Sequence, residues 1–450
     1  MKKYLYLIAV VALSITGCRD YVEIEQIGVR TFKYTSDYRA VLNNNDVFEG
    51  AYGYPILAGD DTEFSDVARQ NTLNEIWGNV YTWRAKFFAE TISDIDWEKL
   101  YKTIYTSNEV IAGVMASERG TEAEKQSLYS EALVHRAYTY LSLVNIYAKQ
   151  YDATTASTDL GVPLLLTPNL YTKLNRASVE TVYNQIIGDL KSSIKALPAI
   201  PDYNVRPSKA AAYALLSRVY LNKRDFTQAS LYADSTLALQ NGLLDLKTYV
   251  GNTTAIPQRL NDPEIIFSKT VNGAYIGVQI SNEVLNLLGT TDLRYTLFTN
   301  AGTAFSPSFV GRGYWRYRYT NEGIYIGPSV PEMILIKAEC AARAGNPTLA
   351  ISTLNQLRIK RFTTANYIPL TIGTAQEALM SVINERKREL FGRGFRWFDQ
   401  KRLNKESNLA MTVNRTFKGQ TYTLSPNDNR YVFPIADKYI LLNPELEPNP

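Results

Sequence analysis

The chain has 450 residues, 45% of them hydrophobic, which is enough to bury the core of one large globular body or of two fused ones. Its formal net charge of +4 gives no electrostatic reason to expect a nucleic acid partner. Only two cysteines and one histidine, His135, are present, which excludes a disulfide framework, histidine-rich zinc sites and any catalytic pair not built on His135.

The first residues have the layout of a secretory signal peptide. Lys2 and Lys3 form a positive region, residues 5–15 form an apolar run, and small residues precede Cys18. We therefore predict a signal peptide over 1–17, a lipid on Cys18 and an irregular, lipidated tether over 18–45. The apolar run is shorter than the about 20 residues that a membrane span needs, so the lipid is the expected membrane attachment. An ordinary signal peptide with an incidental cysteine is the alternative.

The body is predicted to begin at residue 46 with a segment rich in acidic and aromatic residues. Four acidic side chains lie between residues 60 and 66, including Asp60 and Asp61. Such a cluster could hold a hard cation, but the spacing is not that of an EF-hand, and solvated acids in a loop are the favoured interpretation. An aromatic cluster, Trp77, Tyr81 and Trp83, follows among glycine and asparagine residues, which indicates a loop.

Apolar residues then recur at three and four positions, which predicts helices over about 91–147, 178–240 and 330–403. Between them, residues 243–325 carry short apolar pieces among glycine, asparagine and threonine, which predicts an irregular insertion with few strands. Residues 404–450 contain five prolines and little periodicity, so an extended C-terminal wrap is expected. The body over 46–450 is predicted to be a single unit.

Two pairs of helices look like tetratricopeptide units. Ala229, which follows Asp225 and Phe226, and Ala350, which follows Gly345 and Asn346, stand where such a unit packs its helices closely. These alanines are 121 residues apart, far from a tandem repeat of 34 residues. The predicted fold is therefore mainly α, a tetratricopeptide-like helical-repeat scaffold with a large irregular insertion and a loop-rich ligand-binding half. A helical bundle without repeats is the alternative.

Residues 385–402, ERKRELFGRGFRWFDQKR, resemble the C-terminal signature of the SusD/RagB family of nutrient-binding outer-membrane lipoproteins. Residues 131–138, 209–221 and 332–339 resemble the helices of that family in the same order. The departures are Val330-Pro331, where an Arg-Tyr pair is common, and Cys340, where an alanine often stands. The charged signature residues are interpreted as architecture, because their helical spacing permits ion pairs.

The resemblance implies a protein anchored by lipid to the outer membrane and facing the medium. It would capture oligosaccharides and deliver them to a SusC-like TonB-dependent transporter, without performing chemistry. No catalytic residue, metal or cofactor is expected. The same scaffold binding peptides is the first alternative, and a glycoside hydrolase with paired carboxylates is the second.

A carbohydrate site needs flat aromatic faces flanked by polar groups that bind the hydroxyls. Two clusters have this composition: Trp77, Tyr81 and Trp83 before the first long helix, and Tyr314, Trp315 and Tyr317 within the insertion. Family members generally build their sites from these two regions, so the resemblance supports both clusters. Asp60 and Asp61 are weaker candidates for polar contacts. Packing inside the insertion or against a transporter is the alternative for each aromatic residue.

Overall fold

The structure, a computed structural model, describes residues 32–271 and 277–449. The predicted signal peptide, Cys18 and the first part of the predicted tether lie outside the described residues. None of the helices within these two ranges combines the length and apolar composition that crossing a bilayer requires.

The N-terminal part of the body consists of short helices. The first of these corrects the prediction of an irregular tether over 18–45, because Tyr38 and Leu42 on its inner face pack into an apolar cluster with Val110 and Leu128. The folded body therefore includes residues that the sequence assigned to the tether. The helices are α1 (Thr35–Leu42), α2 (Asn45–Phe48), α3 (Pro55–Ala58), α4 (Val67–Gln70) and α5 (Glu75–Tyr81).

Five long helices follow where the periodicity predicted them. Their starts are fixed by side chains that cap free backbone N–H groups: Thr121 and Glu124 form a capping box, and Ser178 and Asp225 accept from the third residue after them. A two-stranded antiparallel pair connects the second and third helices. The elements are α6 (Ile95–Gly113), α7 (Glu122–Tyr147), β1 (Leu160–Pro163), β2 (Arg176–Ser178), α8 (Val179–Ser193), α9 (Lys209–Asn222) and α10 (Phe226–Leu239).

The insertion is irregular, as predicted, and its described residues form two short helices, isolated turns and two small antiparallel pairs, β3 with β6 and β4 with β5. Its apolar residues, such as Phe267 and Val284, join the main core rather than forming a separate one. The insertion is therefore held by the helical scaffold. Its elements are β3 (Thr270–Val271), α11 (Asn282–Leu288), α12 (Leu293–Leu297), β4 (Thr299–Ala301), β5 (Arg312–Tyr314) and β6 (Ile324–Tyr325).

The last scaffold helices are α13 (Val330–Arg343), α14 (Pro347–Arg358), α15 (Ala375–Leu390) and α16 (Phe395–Leu403). Helix α10 packs against both α9 and α13, so the two predicted repeat pairs are neighbours in space although the insertion separates them in sequence. Ala229 and Ala350 are fully buried, as expected for residues that allow helices to approach closely. The prediction of a mainly α, tetratricopeptide-like scaffold is confirmed.

The C-terminal segment crosses over the N-terminal part of the body, but it is not extended throughout. It forms a hairpin of β7 (Val413–Phe417) and β8 (Gln420–Leu424) and a short helix, α17 (Asp437–Leu442). The hairpin turn is made by Lys418 and Gly419, both with positive φ (48° and 78°), a two-residue geometry that favours strand pairing. The expectation of an extended wrap missed this turn, because lysine is not a common residue at such a position.

Candidate ligand-binding cleft

The first predicted aromatic cluster is part of the core. Trp77 and Tyr81 lie on helix α5, which begins where the Asn74 side chain accepts from the Trp77 N–H at 2.8 Å, so the expected loop is a capped helix. Tyr81 and Trp83 are each 1% exposed, and the buried Arg415 guanidinium lies over both rings. Because neither ring can offer a face to a ligand, the assignment of Tyr81 and Trp83 to the site is wrong. Trp77 is half-buried and packs on the core.

The two acidic candidates are also structural. Asp60 accepts from Arg396 Nε at 2.6 Å, and its carboxyl lies 3.5 Å from Lys387 Nζ. Burial alone would raise the pKa of Asp60, but the Arg396 guanidinium outweighs it and holds the pKa below its usual range. Asp61 is fully buried, which raises its pKa to about 6, and it accepts from the Gly392 N–H at 2.8 Å. The sequence suggested solvated acids in a loop, but both of these acids are buried and hydrogen-bonded.

The second predicted aromatic cluster lies at the surface of the insertion. Tyr314 ends strand β5 and is buried, while Trp315 and Tyr317 are half-buried. The rings of Tyr314 and Tyr317 are nearly parallel, at 15°, with centroids 6.2 Å apart, and Trp315 meets Phe305 edge-on at 5.0 Å. Arg316–Arg318 forms a single 3₁₀ turn, closed by the Arg318 N–H on the Trp315 carbonyl at 2.7 Å.

Tyr314 and Tyr317 line an open cleft between the insertion and the scaffold. The insertion contributes the aromatic rings of the lining, and the turn between α15 and α16 contributes Arg393. The charged and hydroxyl-bearing residues of the lining are Arg259, Asp262, Glu264, Tyr314, Arg316, Tyr317, Thr320, Glu322, Tyr325, Ser329, Glu389 and Arg393.

The carboxylates of the cleft already have donors. Asp262 is paired with Arg316 at 3.0 Å, and the Glu322 side chain accepts from the Arg259 N–H at 2.7 Å. Glu264 accepts from the Leu244 N–H and from Arg361, and burial raises its pKa to about 7. The acidic side of the cleft is therefore satisfied within the protein.

Arg393 is a cleft residue that the sequence did not single out. It lies between Gly392 and Gly394, whose φ angles are 69° and 80°, a backbone region that favours glycine. The resulting turn directs the chain from α15 into α16, and it places the Arg393 guanidinium 5.1 Å from the Tyr325 ring and 5.0 Å from the Phe395 ring. A lone arginine between two glycines in the signature was the available signal.

The rest of the signature is architecture, as predicted. Arg294 contacts Glu385 and Glu389 at 2.7 Å each, and Arg361 contacts Glu389 at 2.8 Å, all of them buried. The sequence analysis expected ion pairs within the helix. Most partners of the α15 carboxylates instead come from other segments of the chain. This network supports the wall of the cleft at Glu389 and ties the insertion to helix α15.

Comparison with known proteins gives the family. Residues 35–221 match a family model described as "Starch-binding associating with outer membrane", and residues 330–450 match the model "SusD family". The chain belongs to the SusD family. SusD-like protein P2 of Formosa agariphila is 24% identical, with 100% of this chain and 99% of that protein aligned.

Solved SusD structures have the same fold. A SusD superfamily protein of Bacteroides thetaiotaomicron matches with a TM-score of 0.75 at 19% identity, over 93% of this chain and 100% of that one. A laminarin binding SusD-like protein matches with a TM-score of 0.67 at 17% identity, over 93% and 100% of the two chains. At these identities the likeness establishes the SusD fold alone.

Proposed function

We propose that this protein captures oligosaccharides in the cleft between the insertion and the scaffold and delivers them to a SusC-like TonB-dependent transporter. The observation that carries the proposal is the half-buried ring of Tyr317, which stacks on the buried Tyr314 ring and lines a polar cleft. An accessible aromatic face binds the C–H side of a sugar ring, and adjacent charged groups bind its hydroxyls. Membership of the SusD family and the laminarin binding of a relative support the carbohydrate class.

The proposed cell location is the outer membrane, with a lipid on Cys18 and the body facing the medium. The signal-peptide layout of residues 1–17 and the family description that mentions the outer membrane support this location. A lipid tether would keep the body beside its transporter at a high effective concentration. The tether is then a means of retaining the protein while the cleft opens to the medium.

Binding without turnover is part of the proposal. The purified protein is incubated with labelled oligosaccharides, neutral and charged, and both retention and product formation are followed. Retention with intact oligosaccharide is the expected result. Cleavage would support the glycoside hydrolase alternative, and retention of peptides but of no glycan would support the peptide-binding alternative. Transport is tested separately, by co-purification of the transporter with the tagged lipoprotein from outer membranes.

A further inference from the structure

The hydrogen-bonding groups left without partners around the cleft are donors. Among the described residues, Arg259 Nε, Arg393 Nη2 and Ser329 Oγ are buried polar atoms of the cleft lining with no hydrogen-bond partner. The first two can only donate, and the hydroxyl can donate or accept. Since the cleft carboxylates are satisfied by protein N–H groups, a ligand must supply acceptors.

The charge of Arg393 is poorly compensated by the protein. The residue is 9% exposed, its Nε donates to the Tyr325 carbonyl at 2.7 Å, and no carboxylate among the described residues lies within 4.0 Å of it. Arg415, another buried arginine without an ion pair in the described part of the chain, donates instead to four backbone carbonyls. Burial of a charge is costly unless the charge is paired or fully hydrogen-bonded. Arg415 has four carbonyl acceptors, whereas Arg393 has the Tyr325 carbonyl.

The carboxylates around the cleft do not compensate the charge of Arg393. Asp262 is paired with Arg316, and Glu389 is held by Arg294 and Arg361. Glu264 is bound by Arg361, and burial raises its pKa to about 7, so part of its charge is absent at neutral pH. The remaining cation of the lining, Arg259, is paired with Glu49 at 2.8 Å through another nitrogen.

We infer that the cleft binds an anionic sugar residue, a uronate or a sulfate ester, whose charged oxygens accept from Arg393 and Ser329 while the sugar ring lies against Tyr317. Guanidinium groups bind carboxylate and sulfate oxygens through short, charge-assisted hydrogen bonds. This inference rests on the proposed function, because it specifies the class of oligosaccharide that the same cleft takes.

The sharpest test uses two ligands that differ only in charge. Calorimetric titration at neutral pH compares tetragalacturonate with its fully methyl-esterified form, and a sulfated galactan oligosaccharide with its desulfated form. Loss of a charged hydrogen-bonding pair lowers affinity roughly ten- to hundredfold. In one of the two comparisons we therefore expect the anionic form to bind more tightly than its uncharged form by this factor. The pair that shows the preference identifies a uronate or a sulfate ester as the anionic group.

The variant series assigns the effect to the residue. Arg393→Gln should lower the affinity for the anionic ligand by roughly tenfold or more and leave the affinity for the uncharged form unchanged. Arg393→Lys, which keeps the charge but not the planar fork, should be intermediate, and Arg84→Gln, at an exposed arginine, is the control. Thermal unfolding of each variant verifies that the fold is retained, and the wild-type ligand comparison stands even if Arg393→Gln does not fold.

The outcomes separate this inference from the proposed function. Equal affinity for charged and uncharged forms, or binding of neutral oligosaccharides only, overturns the inference and leaves carbohydrate capture standing. Binding of no oligosaccharide, with binding of acidic peptides such as tetraglutamate, overturns both.

Discussion

Tyr314 lies directly against Gly392, so close that a β-carbon built on this glycine would meet the ring at 2.9 Å. The contact joins the insertion to the turn that carries Arg393. Gly392 also has a φ of 69° and donates its N–H to Asp61. The aromatic wall and the guanidinium of the cleft are therefore positioned by one glycine.

Gly392→Ala should destabilise the protein by about 3 kcal/mol, because it adds a steric clash to a backbone strain of about 1–2 kcal/mol. Gly345→Ala is a matched control, since Gly345 has a φ of 74° but no described atom lies within 4 Å of the place a β-carbon would take. The control should show the strain alone. Urea denaturation of both variants measures the difference, and equal losses would contradict the proposed contact between the insertion and the turn.

Tyr317→Ala should weaken oligosaccharide binding by roughly fivefold to tenfold, because an aromatic face contributes on the order of 1 kcal/mol to stacking. Tyr171→Ala is the control, since this tyrosine is 95% exposed and lies away from the cleft lining. Affinity is measured by titration with the best oligosaccharide of the retention assay. An effect of Tyr171→Ala as large as that of Tyr317→Ala would move the site elsewhere.

Arg415→Met should reduce the free energy of unfolding by about 3 kcal/mol or more. The substitution removes the Arg415 donors and leaves the carbonyls of Leu57, Thr62 and Tyr81 unsatisfied in the core, while the Gly59 carbonyl still accepts from the Thr62 N–H. Arg84→Met is the control, because Arg84 is exposed over the Tyr422 ring on the same hairpin. Chemical denaturation provides the measurement, and a loss below about 1 kcal/mol would show that the hairpin is not fixed through Arg415.

The ion pairs of Glu339 should make stability depend on acid pH. Burial alone would raise the pKa of Glu339, but the Arg402 and Arg343 guanidinium groups outweigh it and lower the pKa from 4.5 to about 2. Because the pKa is lower in the folded state, this stabilisation is present above pH 4.5 and is lost as the pH falls toward 2.

Glu339→Gln should therefore be less stable than the wild type by about 3 kcal/mol at pH 7, and the deficit should shrink as the pH falls through 4.5 toward 2. Glu122→Gln, at an exposed position on α7, is the control and should follow the wild type. Urea denaturation at a series of pH values measures the deficit. A deficit that does not change with pH would mean that the ionised carboxylate is not its source.

Cys18→Ala should move the protein from the membrane fraction to the soluble fraction, because the thiol is the proposed attachment point of the lipid. Incorporation of labelled palmitate into the wild type but not into the variant is the accompanying measurement. Cys340→Ala serves as the control, since Cys340 is buried in α13 and inaccessible for acylation. Membrane retention of the Cys18 variant would favour a different attachment.

The helical scaffold follows from local features of the sequence. Helical periodicity and capping residues such as Thr121, Ser178 and Asp225 act within a few positions of the chain, so their consequences can be predicted without tertiary structure. The signature over 385–402 was enough to indicate the family.

Which aromatic and charged residues are accessible to a ligand could not be predicted without the tertiary structure. Trp83 and Tyr317 have similar local sequence surroundings, yet one ring is covered by Arg415, from a distant part of the chain, and the other lines the cleft. Charge compensation separates Asp60 from Arg393 in the same manner. Asp60 forms an ion pair with Arg396, whereas Arg393 forms none with a carboxylate of the described residues. Burial and charge compensation depend on contacts between distant segments, and composition and periodicity do not encode those contacts.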